Sequence, residues 1–413
     1  FHSNDGGGDG VVDAPGTGAD VAIDGPMHAV GRCAPLPMPA NPVAVADVTS
    51  LRSALAVATP GTTITLADGH YDLATANLVI SQPGVTIRSA SDDATKVVFD
   101  AGFGAPIVVS ASNVTIASVT VTGADQGIIV VPPFSGSTTA DTIYDVTFTS
   151  DRTGIELLPF AAISGPFADQ GTIACSRFIA GTDTCTAGTL GILGVSVRGW
   201  TVRDSRFDHL ACSSGFRRTV TFFQGSRDTQ IMGNLFVGGA GNILLGQDTT
   251  NVARSYNDTP SCGGTPEHRD GIVCNNAITG LDAPIPPAGD AFEEGIALWH
   301  ACDPMVIHNT VVSPVGQTFT DIEYRYPDTN AHIINNLVET LPTARDGAAA
   351  DGLTSDVTYG AGTDFVDPHA DLHLSPTATE AAGESIAGLG VCATDADGKP
   401  RDPTQPTVGA YER

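Results

Sequence analysis

A short phrase recurs along the second half of this chain: apolar residues, a variable residue, a small or amide residue, then apolar residues again. It reads Ile231-Met232-Gly233-Asn234-Leu235-Phe236, then Val273-Cys274-Asn275-Asn276-Ala277-Ile278, Val306-Ile307-His308-Asn309-Thr310-Val311 and Ile333-Ile334-Asn335-Asn336-Leu337-Val338. Weaker copies place Ser118 and Ser205 at the amide position. From Ser205 onward, successive amide positions are 29, 42, 33 and 27 residues apart. Self-similarity at that period marks a stacked repeat.

The repeating unit is built from strands. Each copy is β-branched and alternating, and is followed by an apolar triplet led by a glycine or a polar residue. The triplets are Ile128-Ile129-Val130, Ile155-Glu156-Leu157, Val220-Thr221-Phe222, Ile243-Leu244-Leu245, Ile296-Ala297-Leu298 and Ile322-Glu323-Tyr324. One such pair of strands cannot bury its apolar face alone. Stacked coils can, and they let amides at the repeated position bond to one another up the stack. The pattern predicts an all-β chain, a right-handed parallel β-helix. Coils are expected over about 62–341, with long insertions at about 159–195, 248–270 and 280–293 and an irregular C-terminal cap over about 342–413.

The phrases that open and close the repeat region carry a resemblance. PGTTITLADGHYDL and LVISQPGVTIRSAS are similar to the first coil, and DADGKPRDPTQPTVGAYER to the C-terminal ending, of secreted bacterial proteins of the right-handed parallel β-helix group. That group includes chondroitinase-B-like and alginate-lyase-like polysaccharide lyases. The resemblance covers about Asn41 to Arg413 and concerns architecture, which binding proteins and adhesins share.

Composition narrows the partners. The 413 residues carry a formal charge of −27, and lysine occurs only at Lys96 and Lys399, so a nucleic-acid backbone would be repelled. No run of about 18 apolar residues is present to span a membrane. Eight cysteines without a C-x-x-C pair point to disulfides and an oxidising compartment, with Cys175 and Cys185 expected to close one loop. Residues 1–41 are Gly- and Asp-rich and aperiodic, the composition of a flexible arm. They resemble the spacer behind a lipoprotein anchor, which implies a secreted or outer-surface protein. VTSLRSALAVA reads as a short helix covering the first coil, with Leu51, Leu55 and Ala58 on one face after a cap signal at Thr49 and Ser50.

Alignment of the triplets places equivalent residues about 4.8 Å apart and the middle residue of each outward. Polar residues then gather on the later coils. Glu294, His300, Asp321, Glu323, Arg325 and Tyr326 form the candidate site, flanked by Arg218, Gln247 and Trp299. In a uronate lyase, Glu294, Asp321 and Glu323 would hold Ca²⁺ against the substrate carboxylate. Arg325 would stabilise the enolate, and His300 or Tyr326 would exchange protons. In a hydrolase, Asp321 would pair with Glu323 or Glu294 as acid and base. Chondroitinase-B-like and alginate lyases pair a lysine with an arginine. Neither lysine falls on the later coils here, so that pair does not transfer, and Arg218 or Arg325 would have to substitute. Trp299 reads as a sugar platform or as packing, His308 and His332 as structural, and His268, Arg269 and Asp270 as a turn. The expected function is binding of an extracellular acidic polysaccharide, with or without cleavage by β-elimination. The alternative is a non-catalytic surface protein assembling through its N-terminal arm, its strand charges merely pairing between coils.

Overall fold

The computed structural model describes residues 33–413, apart from residues 74–75, 103, 105–106, 150–151, 162–164, 181–189, 211–217, 249, 251–253, 282–291, 315–317, 360–361 and 380. It is a right-handed parallel β-helix. The coil of Asn234 shows the plan: Gln230–Met232 enters a corner at Gly233 and Asn234, Leu235–Val237 leaves it, and Gly241–Gly246 closes the circuit. The first two segments join a 23-stranded sheet that wraps the corner, and the third joins a ten-stranded sheet. In chain order the ten strands are Leu78–Ile80, Ile107–Val109, Gln126–Val130, Thr153–Leu157, Leu190–Val195, Val220–Phe223, Gly241–Gly246, Glu294–Trp299, Ile322–Arg325 and Thr343–Arg345.

The corner is made by backbone geometry that most residues avoid. Register stacks Ser118, Asp145, Cys175, Asp204, Gly233, Asn275, His308, Asn335 and Ser355 in one column. All nine have φ between 50° and 63°. Left-handed backbone of this kind is tolerated by Gly and favoured among the rest by Asn, Asp and His, which explains the polar residue before each amide. The next residue in each coil forms the ladder. Asn234, Asn276 and Asn309 each donate through Nδ2 to the Oδ1 of the next amide, at 3.0, 2.9 and 3.0 Å. Asn336 continues to Asp356 at 2.9 Å. Each Oδ1 also accepts the backbone N–H of the residue above it, and Ser205 and Ser176 extend the column upward in the same way. Ser118 was expected on this ladder but stands one position earlier, in the left-handed column, and Val119 fills the ladder position of its coil.

Apolar residues fill the interior behind the ladder. Phe148, Phe178, Phe207 and Phe236 stack face to face at centroid distances of 4.8, 4.7 and 4.6 Å, close to the strand spacing. The first and third residues of every triplet are buried against them. The helix spans Val48–Ala56 and buries Leu51 and Ala54, with Leu55 and Ala58 packed beside them. Its cap is Asp47, in a reciprocal box with Ser50, rather than Thr49 or Ser50.

Both ends of the described chain dock on the corner. Cys33 is disulfide-bonded to Cys175, so the expected Cys175–Cys185 loop is not formed; Cys185 and Cys212 lie outside the described residues. The Leu36 and Pro37 carbonyls accept from Arg88 at 2.8 and 2.9 Å, and the Ala34 carbonyl from Tyr144 at 2.6 Å. Residues 33–37 are therefore fixed to the stack rather than part of a free arm; the rest of that arm, residues 1–32, lies outside the description. At the other end, Cys274–Cys392, Arg401 to Asn275 at 2.7 Å and Asn335 to Glu384 at 2.8 Å tie the C-terminal segment along the later coils. Parallel pairing persists to Thr358, one coil beyond the expected 341. The supposed insertion at 159–195 holds a full coil: Thr172–Ala174, Arg177–Ile179 and Leu190–Val195. His268 and Arg269 are likewise a strand, buried and paired on both sides, with Asp270 at the corner that follows. That strand continues the segment held by a Cys262–Cys302 disulfide.

Two predictions follow from buried polar groups. Asn309→Leu removes the acceptor of two donors on Asn276 and the donor to the Val273 carbonyl. It should cost about 3 kcal/mol or more in denaturant unfolding. Asp141 bonds the Val114 N–H at 2.9 Å through one oxygen, its other oxygen is unpartnered, and burial raises its pKa from 3.8 to about 7. The folded state thus holds a proton that the unfolded state loses, so this group's contribution fades as pH rises from about 4 to about 7. In Asp141→Asn, the difference in unfolding free energy between pH 5 and pH 8 should shrink by roughly 2 kcal/mol.

Candidate functional site

Register in the ten-stranded sheet aligns Ile129, Glu156, Leu193, Thr221, Leu244, Ala297, Glu323 and Thr343. The triplets are in the expected register, with Leu193 as a further member. On this face lies a cleft of about 500 Å³. Leu193, Thr221 and Leu244 form its floor, Leu190 stands at one end, and Trp299 and Arg325 stand at the other. It crosses five successive strands, which at their usual spacing is about 19 Å along the stack axis.

Charge is placed at the Trp299 end. Arg218, just before Val220–Phe223, is buried; its Nη1 lies 3.0 Å from Glu293 and its other terminal nitrogen pairs with Glu294. Its guanidinium lies 4.9 Å from the Trp299 ring centroid. Arg325 approaches the same ring at 5.6 Å and that of Tyr326 at 4.7 Å, and pairs with Asp346. Gln247 lines the cleft while its Nε2 donates 3.1 Å to the buried Glu267.

Of the nine candidate residues, Arg218, Gln247, Trp299 and Arg325 line this cleft and five do not. Glu294 is fully buried against Arg218, and burial, with Glu293 and Glu323 near, raises its carboxyl to about 8. Asp321 accepts the backbone N–H groups of Glu339 and Thr340 at 2.5 and 2.8 Å, and burial holds its pKa at about 6. It organises the next turn and does not face a ligand. Glu323 is on the outward column yet 0 % exposed, because Trp299 Nε1 and Arg345 Nη1 close over it at 2.6 Å each. Outward from a strand is not outward to solvent when long side chains from both neighbouring coils fold across. His300 and Tyr326 follow their strands in left-handed backbone, stacked at 3.9 Å beside Arg325, and His300 Nδ1 lies 2.7 Å from Asp328.

The three carboxylates expected to hold Ca²⁺ are engaged by the protein itself. Glu294, Asp321 and Glu323 turn to Arg218, to backbone amides, and to Trp299 and Arg345, respectively. Among the described residues no three His, Cys, Asp or Glu groups are disposed to hold a metal ion. The cleft instead takes Glu293 and Asp248, which the sequence reading passed over. Glu293 was signalled by the doubled acid before Gly295. Burial raises its pKa although Arg218 opposes this.

No protein-family model matches this chain, and no curated protein matches it in sequence. Solved structures do match in fold. An alginate lyase from Paenibacillus sp. str. FPU-7 is 17% identical over 75% of this chain and 98% of its own, with a TM-score of 0.46. A PL6 family polysaccharide lyase from Pseudopedobacter saltans is 11% identical over 82% and 97%, with a TM-score of 0.45. Pectate lyase Pel9A is 15% identical over 87% and 90%, with a TM-score of 0.45. At these identities the likeness is one of architecture.

Burial separates Arg325 from Glu323. Arg325 pairs with a half-exposed Asp346, so Arg325→Ala should change stability by about 0–1 kcal/mol. Glu323→Ala strands the Trp299 N–H and one Arg345 partner, and should cost about 1–3 kcal/mol. Unfolding midpoints of the two variants, measured side by side, check the order.

Proposed function

We propose that this chain binds an acidic polysaccharide lengthwise in the cleft of its ten-stranded sheet. One observation carries the reading: a cleft running along the stack axis, apolar along its floor and closed at one end by Trp299 between two guanidinium groups. A linear chain of rings fits a groove of that direction. Leu193 and Leu244 meet ring faces, Gln247 and Asp248 meet hydroxyls, and Arg325 takes a carboxylate as a charge-assisted pair. Arg218 is already committed to two glutamates and serves chiefly to hold Trp299 in place.

The geometry supplies grip more fully than chemistry. β-Elimination needs a base to remove a proton beside the uronate carboxyl, and neither His300 nor Tyr326 lines the cleft. Glu293 is the lining group whose raised pKa suits proton exchange. A saccharide-binding protein that cleaves only if Glu293 can act as that base is therefore the reading, with secretion or surface display in keeping with three disulfides.

Calorimetric titration with alginate, polygalacturonate and chondroitin, and with neutral dextran as control, tests it. Binding of at least one acidic polymer and not dextran is expected, weakened about tenfold or more in Arg325→Ala. Equal binding of dextran, or none of any polymer, overturns the reading. Absorbance of unsaturated uronate products in the same mixtures reads whether elimination follows, and Glu293→Gln should abolish it where it does.

A further inference from the structure

We propose that the ring pair Phe134 and Phe160 is a distal sugar-stacking platform, so that the ligand is a chain of several saccharide units rather than a terminal mono- or disaccharide. The proposal deepens the saccharide reading of the cleft and rests on it. Phe134 is 80% and Phe160 48% exposed. Their rings meet edge to face at a centroid distance of 5.6 Å, each leaving apolar surface to solvent. Phe319 is also half exposed, but the Arg345 guanidinium covers it at 4.7 Å. Single exposed apolar residues are ordinary; two phenyl rings brought together from different coils are not.

Their place in the fold ties them to the cleft. Phe134 follows Gln126–Val130, and Phe160 follows Thr153–Leu157. These strands pair with one another, and Thr153–Leu157 pairs directly with Leu190–Val195. Leu190 and Leu193 of that last strand line the cleft at the end away from Arg325. The phenyl-bearing coils are thus one and two steps beyond the cleft, about 5 and 10 Å along the same axis. From the strand before Phe134 to the strand of Arg325 is six steps, about 29 Å. A platform on the end opposite the charged grip is what a long chain would use and a short one could not reach.

The loop backbone beside each ring is tied. Phe160 donates its backbone N–H to the Pro166 carbonyl at 2.9 Å, and a turn closed by Gly136 to Pro133 at 3.2 Å carries Phe134. The apolar faces of two phenyl rings suit the C–H face of a pyranose, while the cleft's Arg325 suits the carboxylate.

The test compares the wild type with the double variant Phe134→Ala/Phe160→Ala on uronate dimers, tetramers and octamers of whichever polymer binds. The octamer should bind the wild type at least about tenfold more tightly than the dimer. The double variant should lose that gain, with dimer affinity and unfolding midpoint unchanged. Phe160→Trp, which keeps a ring, should retain it. Arg325→Ala should weaken all lengths, since every length needs the grip. Equal affinity of wild type and double variant for the octamer overturns the platform, and so does an equal loss at every length. A change in particle mass on removing the rings would assign the pair to contact between copies and likewise overturn it. If the wild type binds oligomers but without length dependence, the platform falls and the cleft stands; if it binds neither oligomers nor polymer, both fall.

Discussion

The structure depends on one exchange repeated at the corner of the later coils, where a backbone turned into the left-handed region is answered by an amide that bonds to the coil next to it. The turn alone would be costly at the eight corner positions other than Gly233. The following residue repays it: Asn276, Asn309 and Asn336 each accept a backbone N–H and a side-chain N–H from their neighbour on one buried oxygen. A coil shifted by one residue would place an apolar side chain on the ladder and bury an unpaired amide in the core. Register is therefore decided at the corner, and the sheets inherit it.

That inheritance explains where a ligand can go. The corner column projects polar side chains outward, and both terminal segments of the described chain use them as anchors: Cys33 on Cys175 at the early coils, and Arg401 and Glu384 on Asn275 and Asn335 at the later ones. The corner edge is thus engaged by the protein's own chain at its early and at its later coils. The ten-stranded sheet is left as a face with a groove along the axis. A β-helix has no pocket by topology, so its binding surface must be a column of equivalent positions read across coils.

The sequence makes the repeat legible because the ladder of the later coils uses an amide and the corner demands a residue tolerant of positive φ, so two adjacent positions are constrained in each of those coils. Triplet alignment succeeds for the same reason, down to Glu156 over Ile129 and Glu323 over Ala297. It fails where the signal is shared or absent. Serine satisfies both the corner and the ladder, so Ser118 could be set one position off. The strand Leu190–Val195 has two glycines and no β-branched pair at its start, so its coil reads as an insertion. Site residues were harder still. Alternation fixes the side of the strand from which Glu323 projects, but its burial comes from Trp299 and Arg345, whose reach across coils no period encodes. Asp321 looks like a catalytic acid in the sequence and is a backbone acceptor in the fold.

The same distinction bears on how acidity could be recognised by a chain of net charge −27. Most arginines near the cleft are spoken for in ways a ligand cannot undo. Arg218 is sealed between Glu293 and Glu294, and Arg345 is bonded to the buried Glu323. Arg325 differs in its partner: the Asp346 side chain is 47% exposed, against 25% for Glu293 and 1% for Glu294 and Glu323. A ligand carboxylate arriving at Arg325 can displace Asp346 into water, so that the solvent the ligand loses is offset by the solvent Asp346 regains. A neutral sugar gains nothing from that exchange. Preference for acidic units can thus come from one replaceable ion pair, while the surrounding negative field raises the salt dependence of the encounter and disfavours polyanions that cannot also fill the apolar floor.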